Sequence, residues 1–149
     1  MSIQYIAVNK KTKAVFLADY NAFATGKKYS VYINYVSINQ TNKSEPFLQW
    51  VYKSTSVVYQ SDYITGISVD AKDNLLIIAD SQINKIVKLD LTADKIDNKT
   101  GLVIPNPNKL QSVTSKVIQG LGGLSVDVPT QRIFYNSFSN QLGGPAGLT

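Results

Sequence analysis

The chain has 149 residues, of which 44% are hydrophobic and 17% charged, and its formal net charge is +5. These proportions are typical of a folded domain with a sizeable core and exclude a disordered chain. The sequence contains neither cysteine nor histidine, which excludes disulfides, thiolate metal sites, cysteine nucleophiles and a Ser-His-Asp triad.

Nearly every periodic segment is typical of a β-strand, because β-branched and aromatic residues or polar–apolar alternation dominate it. In chain order, strands are predicted at residues 6–9, 14–19, 31–38, 47–52, 55–59, 67–70, 75–80, 85–91, 101–104, 115–118, 124–127 and 132–137. No window combines a sustained helical period with capping signals. The sequence therefore predicts an all-β chain, with residues 105–108 (Pro-Asn-Pro-Asn) in a loop.

One pattern occurs three times. A strand that ends at Asn9, Asp70 or Asp127 leads through a polar turn to a strongly apolar strand, and the copies recur 61 and 57 residues apart. Glycines flank the first strand of the later copies and let backbones pack closely there: Gly66, Gly122 and Gly123. Four antiparallel strands with a tightly packed first strand form a propeller blade. We expect repeats at about residues 3–60, 64–118 and 122–149, the last incomplete.

The second repeat carries a family resemblance. Residues 66–80 (Gly-Ile-Ser-Val-Asp-Ala-Lys-Asp-Asn-Leu-Leu-Ile-Ile-Ala-Asp) and 84–90 (Asn-Lys-Ile-Val-Lys-Leu-Asp) resemble a blade of the NHL-repeat, gluconolactonase and strictosidine-synthase-like propellers. Those families typically close about six blades. Residues 85–104 are more weakly similar to the Yellow and royal-jelly propellers, whose conserved cysteines are absent here. The resemblance implies a β-propeller fold and is not specific to an activity.

The strand count predicts an incomplete ring. About two and a half blades cannot close, and open sheet edges invite pairing with other strands. Three alternatives remain open: a longer or cleaved propeller completed by another chain, assembly with copies of itself, or another β architecture such as a sandwich. Under the first two, the essential partner is another polypeptide chain.

The predicted cofactor content follows from the resemblance. Lactonase-like propellers hold a central calcium with acidic or amide side chains, and the matching positions here are Gln4, Thr65 and Gly122. None is a carboxylate, whereas calcium prefers about six to eight oxygen ligands with carboxylates among them. We expect no cofactor, and calcium only if partner blades supply its ligands.

Candidate ligand-binding residues stand near the ends of the second strands, where loops of a propeller face ligands. They are Asp19, Tyr20, Asn21, Asp80, Asn84 and Asn136. The alternative interpretation is that the acidic members cap their own turns, as we expect for the residues that open the polar turns. Further candidates are aromatic rings that could stack on a ligand: Tyr32, Tyr35, Trp50, Tyr52, Tyr59 and Tyr63. Residues 20–26 form the best candidate functional loop, since they are an insertion relative to the second repeat.

These observations favour a non-catalytic binding or assembly module that forms part of a β-propeller. Any ligand, such as a small molecule or glycan, is expected near its channel or loop face. No catalytic residue is predicted. One alternative is a lactonase- or hydrolase-like enzyme whose missing ligands come from partner blades, and another is a self-associating, sugar-binding lectin.

Scattered lysines with a single arginine, Arg132, do not indicate nucleic acid as a partner. No apolar stretch predicts a membrane span or signal peptide, and three glycosylation sequons leave secretion open and the localisation unassigned.

Overall fold

The computed structural model describes residues 2–12, 14–20, 26, 28–35, 56–92, 95–96, 103–104 and 110–138. These residues contain β-strands and no helix, which confirms the all-β prediction. In chain order the strands are β1 (Ile3–Asn9), β2 (Ala14–Tyr20), β3 (Tyr29–Tyr35), β4 (Ser56–Ser61), β5 (Ile64–Asp70), β6 (Leu75–Asp80), β7 (Lys85–Asp90), β8 (Lys95–Ile96), β9 (Val103–Ile104), β10 (Leu110–Ser112), β11 (Leu121–Asp127) and β12 (Arg132–Ser137).

The strands form three successive antiparallel units. The first sheet has the order β1-β2-β3-β4, the second has β5-β6-β7-β10, and the third unit pairs β11 with β12. Strands β8 and β9 form a separate hairpin between β7 and β10. The described residues therefore form two four-stranded antiparallel sheets followed by a two-stranded unit, an arrangement consistent with all-β blades.

The fourth strand of the second sheet differs from the prediction. Residues 110–112 pair with β7, whereas the predicted strand at 115–118 is wrong, because those residues form bends and no ladder. The edge of β7 is already occupied there: Val113 N–H donates to the Ile86 carbonyl at 2.8 Å, and Ile118 N–H then donates to the Asn84 carbonyl at 2.8 Å. The predicted strand at 47–52 and residues 36–38 of another lie outside the described residues.

Polar side chains hold the turns between first and second strands. Asn9 Oδ1 accepts the Lys11 amide at 3.0 Å, and Asp70 Oδ1 accepts the Lys72 amide at 2.9 Å. The second and third turns end on residues with left-handed backbone, Asn74 (φ 54°) and Gln131 (φ 55°). The expectation that Asn9 and Asp70 cap their own turns is confirmed.

The three repeats stack in chain order through their first strands. Strand β5 packs against both β1 and β11. A Cβ at Gly66 would lie 3.1 Å from the Leu124 nitrogen and 3.3 Å from the Gly123 Cα, so only glycine allows this approach without displacement of the neighbouring backbone. One hydrophobic core fills the space between the first and second sheets, and a second lies between the second sheet and the third unit.

Candidate functional site

The sheets have two chemically different ends. At one end β1 and β5 begin while β2 and β6 finish, and four tyrosines gather there. We call it the tyrosine end, defined by Tyr5, Tyr20, Tyr29 and Tyr63. At the opposite end lie the polar turns that begin at Asn9, Asp70 and Asp127, which we call the turn end.

Asp80 finishes β6 at the tyrosine end and is 2% exposed. Its Oδ2 accepts the Tyr59 hydroxyl at 2.6 Å, and its Oδ1 accepts the Ser61 hydroxyl at 2.9 Å and the Gln82 amide at 2.9 Å. Burial, and then the bond to the Asp80 carboxylate, raise the pKa of Tyr59 well above its ordinary value. Both carboxylate oxygens therefore hold the β6–β7 turn and the last residues of β4.

Asp19 occupies the same position at the end of β2 and is also 2% exposed. Its Oδ1 accepts the backbone N–H of Ser2 at 2.6 Å, which fixes the start of β1 against β2. The geometry of Asp19 and Asp80 matches the interpretation of such acids as structural anchors. A ligand-binding role for either carboxylate stays a prediction.

The four tyrosines form a graded cluster from buried to exposed. Tyr29 is 7% exposed and its ring lies 5.1 Å from that of Tyr20 and 6.1 Å, edge to face, from that of Tyr63. Burial, followed by the neighbouring phenols of Tyr5, Tyr63 and Tyr20, raises the pKa of Tyr29. Tyr63 is 54% exposed. It therefore offers an accessible ring on a packed aromatic base.

The remaining predicted site residues do not join this cluster. Asn84 closes the β6–β7 turn with a left-handed backbone (φ 52°). Asn136 lies on the outer face of the third repeat, where a Cβ added to Gly122 would meet its side-chain atoms at 2.6 Å. Asn21, like most of the predicted 20–26 loop, lies outside the described residues. The structure thus brings Asp19, Tyr20, Asp80 and Asn84 to one end of the sheets, whereas the side chain of Asn136 lies on the outer face of the third repeat.

The predicted stacking rings also differ in their exposure. Tyr63 is exposed, whereas the Tyr59 hydroxyl is bound to Asp80. Tyr32 is half-buried beside Leu17. Trp50, Tyr52 and the side chain of Tyr35 lie outside the described residues. Two rings that the sequence reasoning did not single out, Tyr5 and Tyr29, complete the cluster. Both lie near the ends of strands that meet at the tyrosine end, Tyr5 in β1 and Tyr29 as the first residue of β3, and that position is the signal that could have found them.

A second feature, missed from the sequence, is a cleft of about 220 Å³ at the turn end between the second sheet and the third unit. Gln131 Nε2 donates to Asp73 Oδ2 at 2.6 Å and to Asp70 Oδ2 at 3.3 Å on its rim. Lys88 lines the cleft, and Ile77 contributes to its apolar wall. The cleft is part of the junction between repeats, and the repeat pattern, in which Asp70 and Gln131 correspond to Asn9 and Asn74, could have predicted it.

Of the three positions matched to calcium ligands, Thr65 and Gly122 are bonded to each other, and Gln4 Nε2 donates to the Ser2 hydroxyl at 2.8 Å. The Thr65 hydroxyl donates to the Gly122 carbonyl at 2.8 Å, which ties β5 to β11. Within the part of the chain that the structure describes, no group of three or more acidic, histidine or cysteine side chains is arranged to hold a metal ion. The same residues include no helix with the length and apolarity needed to cross a membrane.

No protein-family model matches the chain, and a search of curated proteins gave no significant match.

Proposed function

We propose that this chain is a non-catalytic binding and assembly module that forms part of a β-propeller and presents its ligand face at the tyrosine end. The proposal is based on the different environments of the acidic and aromatic side chains at that end. The acidic side chains Asp19 and Asp80 are buried and bound within the protein, whereas the Tyr63 ring is exposed on an aromatic base.

The ligand class follows from the chemistry of this surface. Exposed tyrosine rings bind the apolar faces of sugars and of other ring-bearing small molecules, and neighbouring polar groups orient them. Tyr63 supplies the accessible ring, and Tyr29 supports it edge to face at 6.1 Å. A glycan is therefore the ligand that we propose.

The same geometry weighs against the lactonase-like alternative. A hydrolase of that kind needs carboxylates free to bind calcium or to transfer a proton. Both oxygens of Asp80 already accept hydrogen bonds from Tyr59, Ser61 and Gln82. Asp80 could serve an enzyme of that kind only if these hydrogen bonds were broken.

Assembly is the second part of the proposal. The repeats stack through β1, β5 and β11, and the outer face of the third repeat keeps Phe134 45% exposed. Stacked repeats need caps or further repeats at their ends to cover such apolar surface. We therefore propose that another polypeptide or another copy completes the array.

The test is a glycan array followed by titration with the best-bound glycan. We expect binding without turnover of lactone substrates, with or without added calcium. Tyr63→Ala should weaken binding about tenfold or more, because stacking of the sugar depends on the ring. Tyr63→Phe keeps the ring and is the matched control, which should bind nearly as well as the wild-type chain. Calcium-dependent lactone hydrolysis, or glycan binding unaffected by Tyr63→Ala, would overturn the proposal.

A further inference from the structure

Equivalent positions in the three second strands differ sharply in exposure. Phe16, Ile77 and Phe134 are the third residues of β2, β6 and β12. Phe16 and Ile77 lie on the side of their sheets that faces the next repeat, and Phe134 lies on the corresponding side of the third unit. Phe16 is 0% exposed and Ile77 is 2% exposed, because the following repeat covers each of them. Phe134 is 45% exposed. The third repeat thus has the same face as the first two, and none of the described residues covers it.

The side chains that form the covers also recur. Ile67 and Val69 of β5 are 7% and 9% exposed, and they pack on the face that contains Phe16. Leu124 and Val126 of β11 pack in the same way on the face that contains Ile77.

The first repeat has side chains at the same positions as these covering residues, but they are exposed. Ile6 and Val8 hold the positions of Ile67 and Val69 in the repeat, yet they are 60% and 50% exposed. Exposed β-branched side chains of this size, side by side on an edge strand, are typical of a surface that binds another chain. The two ends of the array are therefore complementary to each other.

A hydrogen bond completes the match. At the junction between the second and third repeats, the Ser68 hydroxyl accepts the Val126 N–H at 3.2 Å. Ser125 stands at the position of Ser68 one repeat later and is exposed, and Val8 stands at the position of Val126. The uncovered face therefore retains the acceptor that a cover would need for its own backbone N–H.

We propose that two copies of this chain associate head to tail. The donor face, Ile6 and Val8 of one copy, covers the acceptor face, Ser125, Phe134 and Asn136 of the next. This inference rests on the proposed blade architecture. A second copy is the occupant because the donor face belongs to the same series as the two covers that already form this junction inside the chain. Such a contact is heterologous, so it either closes a ring or extends a row of copies.

Sedimentation velocity over about a hundredfold range of protein concentration tests the proposal. The wild-type chain should associate reversibly. Val8→Asp and Phe134→Asp should each raise the dissociation constant about tenfold or more, because each places a carboxylate in an apolar contact. Val117→Asp is the matched control, since Val117 is 57% exposed and belongs to neither face. It should associate like the wild-type chain.

Mixing the two variants sets head-to-tail association apart from symmetric pairing. Phe134→Asp keeps an intact donor face and Val8→Asp keeps an intact acceptor face, so an equimolar mixture should form a heterodimer and stop there. Circular dichroism checks that each variant is folded, and Val8→Ser with Phe134→Ser replaces any aspartate variant that is not.

A wild-type chain that stays monomeric, or variants that associate like it, would overturn the inference, as would the absence of the heterodimer. These results leave the proposed function standing, because glycan binding at the tyrosine end is measured independently of association.

Discussion

The side-chain amide of Gln131 lies 3.3 Å from the carboxylate of Asp70, although the two residues are 61 positions apart. The same tie exists one repeat earlier, where Asn9 Nδ2 donates to Asn74 Oδ1 at 3.0 Å. In both cases the residue that opens one repeat's turn meets the left-handed residue that closes the next repeat's turn. These ties hold neighbouring repeats in register at the turn end.

The hydrogen bond between Gln131 and Asp70 should be measurable as a coupling energy. Gln131→Ala should lower the free energy of unfolding by about 1 kcal/mol, since it removes the partly exposed hydrogen bonds to Asp73 and Asp70. A double-mutant cycle with Asp70→Ala should show a coupling of roughly 0.5–1 kcal/mol in urea unfolding. Gln131→Gly should lie closer to the wild-type chain than Gln131→Ala, because the left-handed backbone costs a non-glycine residue about 1 kcal/mol. Strict additivity of the two alanine variants would contradict the tie.

The close approach of β5 and β11 predicts that Gly66 is intolerant of a side chain. A Cβ there would meet backbone atoms at 3.1 Å and 3.3 Å, so the strands must separate. We expect Gly66→Ala to cost about 1–3 kcal/mol of stability, the range for overpacking. Gly123→Ala is the matched control on the adjoining strand, because its nearest contacts lie at 3.7 Å and 3.9 Å. Equal stability of the two variants in urea titrations would argue against the packing.

Substitutions of Asp80 and of its partner Tyr59 should reduce the stability of the chain to different degrees. Asp80→Ala leaves Tyr59, Ser61 and the Gln82 amide without their acceptor, and we expect a loss of roughly 3 kcal/mol. Asp80→Asn keeps one acceptor oxygen and should lose less. Tyr59→Phe removes a single donor and should cost about 1 kcal/mol. Thermal and urea unfolding would rank the three variants, and an Asp80→Ala variant as stable as the wild-type chain would show that these bonds do not hold the turn.

The raised pKa of Tyr59 predicts a decline of stability in base. Burial and the bond to Asp80 keep the phenol protonated in the folded chain, whereas the unfolded chain ionises near its ordinary pKa of 10.0. The stabilising contribution is therefore complete below about pH 10 and decreases as the pH rises further. Tyr59→Phe should flatten the dependence of unfolding free energy on pH above about pH 10, leaving the part due to Tyr5 and Tyr29. An unchanged slope in that variant would contradict the assignment.

The sequence predicts the local structure well because its signals are local. The alternation in residues 85–91 and the polar turn after Asp70 each determine their strand or turn without distant partners, and the structure confirms both. The position of the fourth strand of the second sheet was predicted wrongly, because it depends on which residues pair with the free edge of β7. Leu110 to Ser112, some 20 residues further along the chain, occupy that edge. The strand propensity of residues 115–118 contains no information about which segment pairs with β7.

The candidate site was predicted only in part for the same reason. Asp19, Tyr20 and Asp80 could be placed at one end of the sheets from strand alternation alone. The packing of Tyr29 between Tyr20 and Tyr63 depends on the β2–β3 register and on the turn before β5. Those are tertiary relationships, and no spacing in the sequence encodes them.

Nuclear Overhauser effects across the β5–β11 contact test the central claim, the stacking of repeats through their first strands, most directly. The account predicts a strong effect between the Hα protons of Gly66 and the amide proton of Leu124, together with effects between the Ile77 and Val126 methyl groups. If effects within the second sheet, such as those between Ile67 and Ile78, are present while the contacts between β5 and β11 are missing, the repeats do not stack in this way.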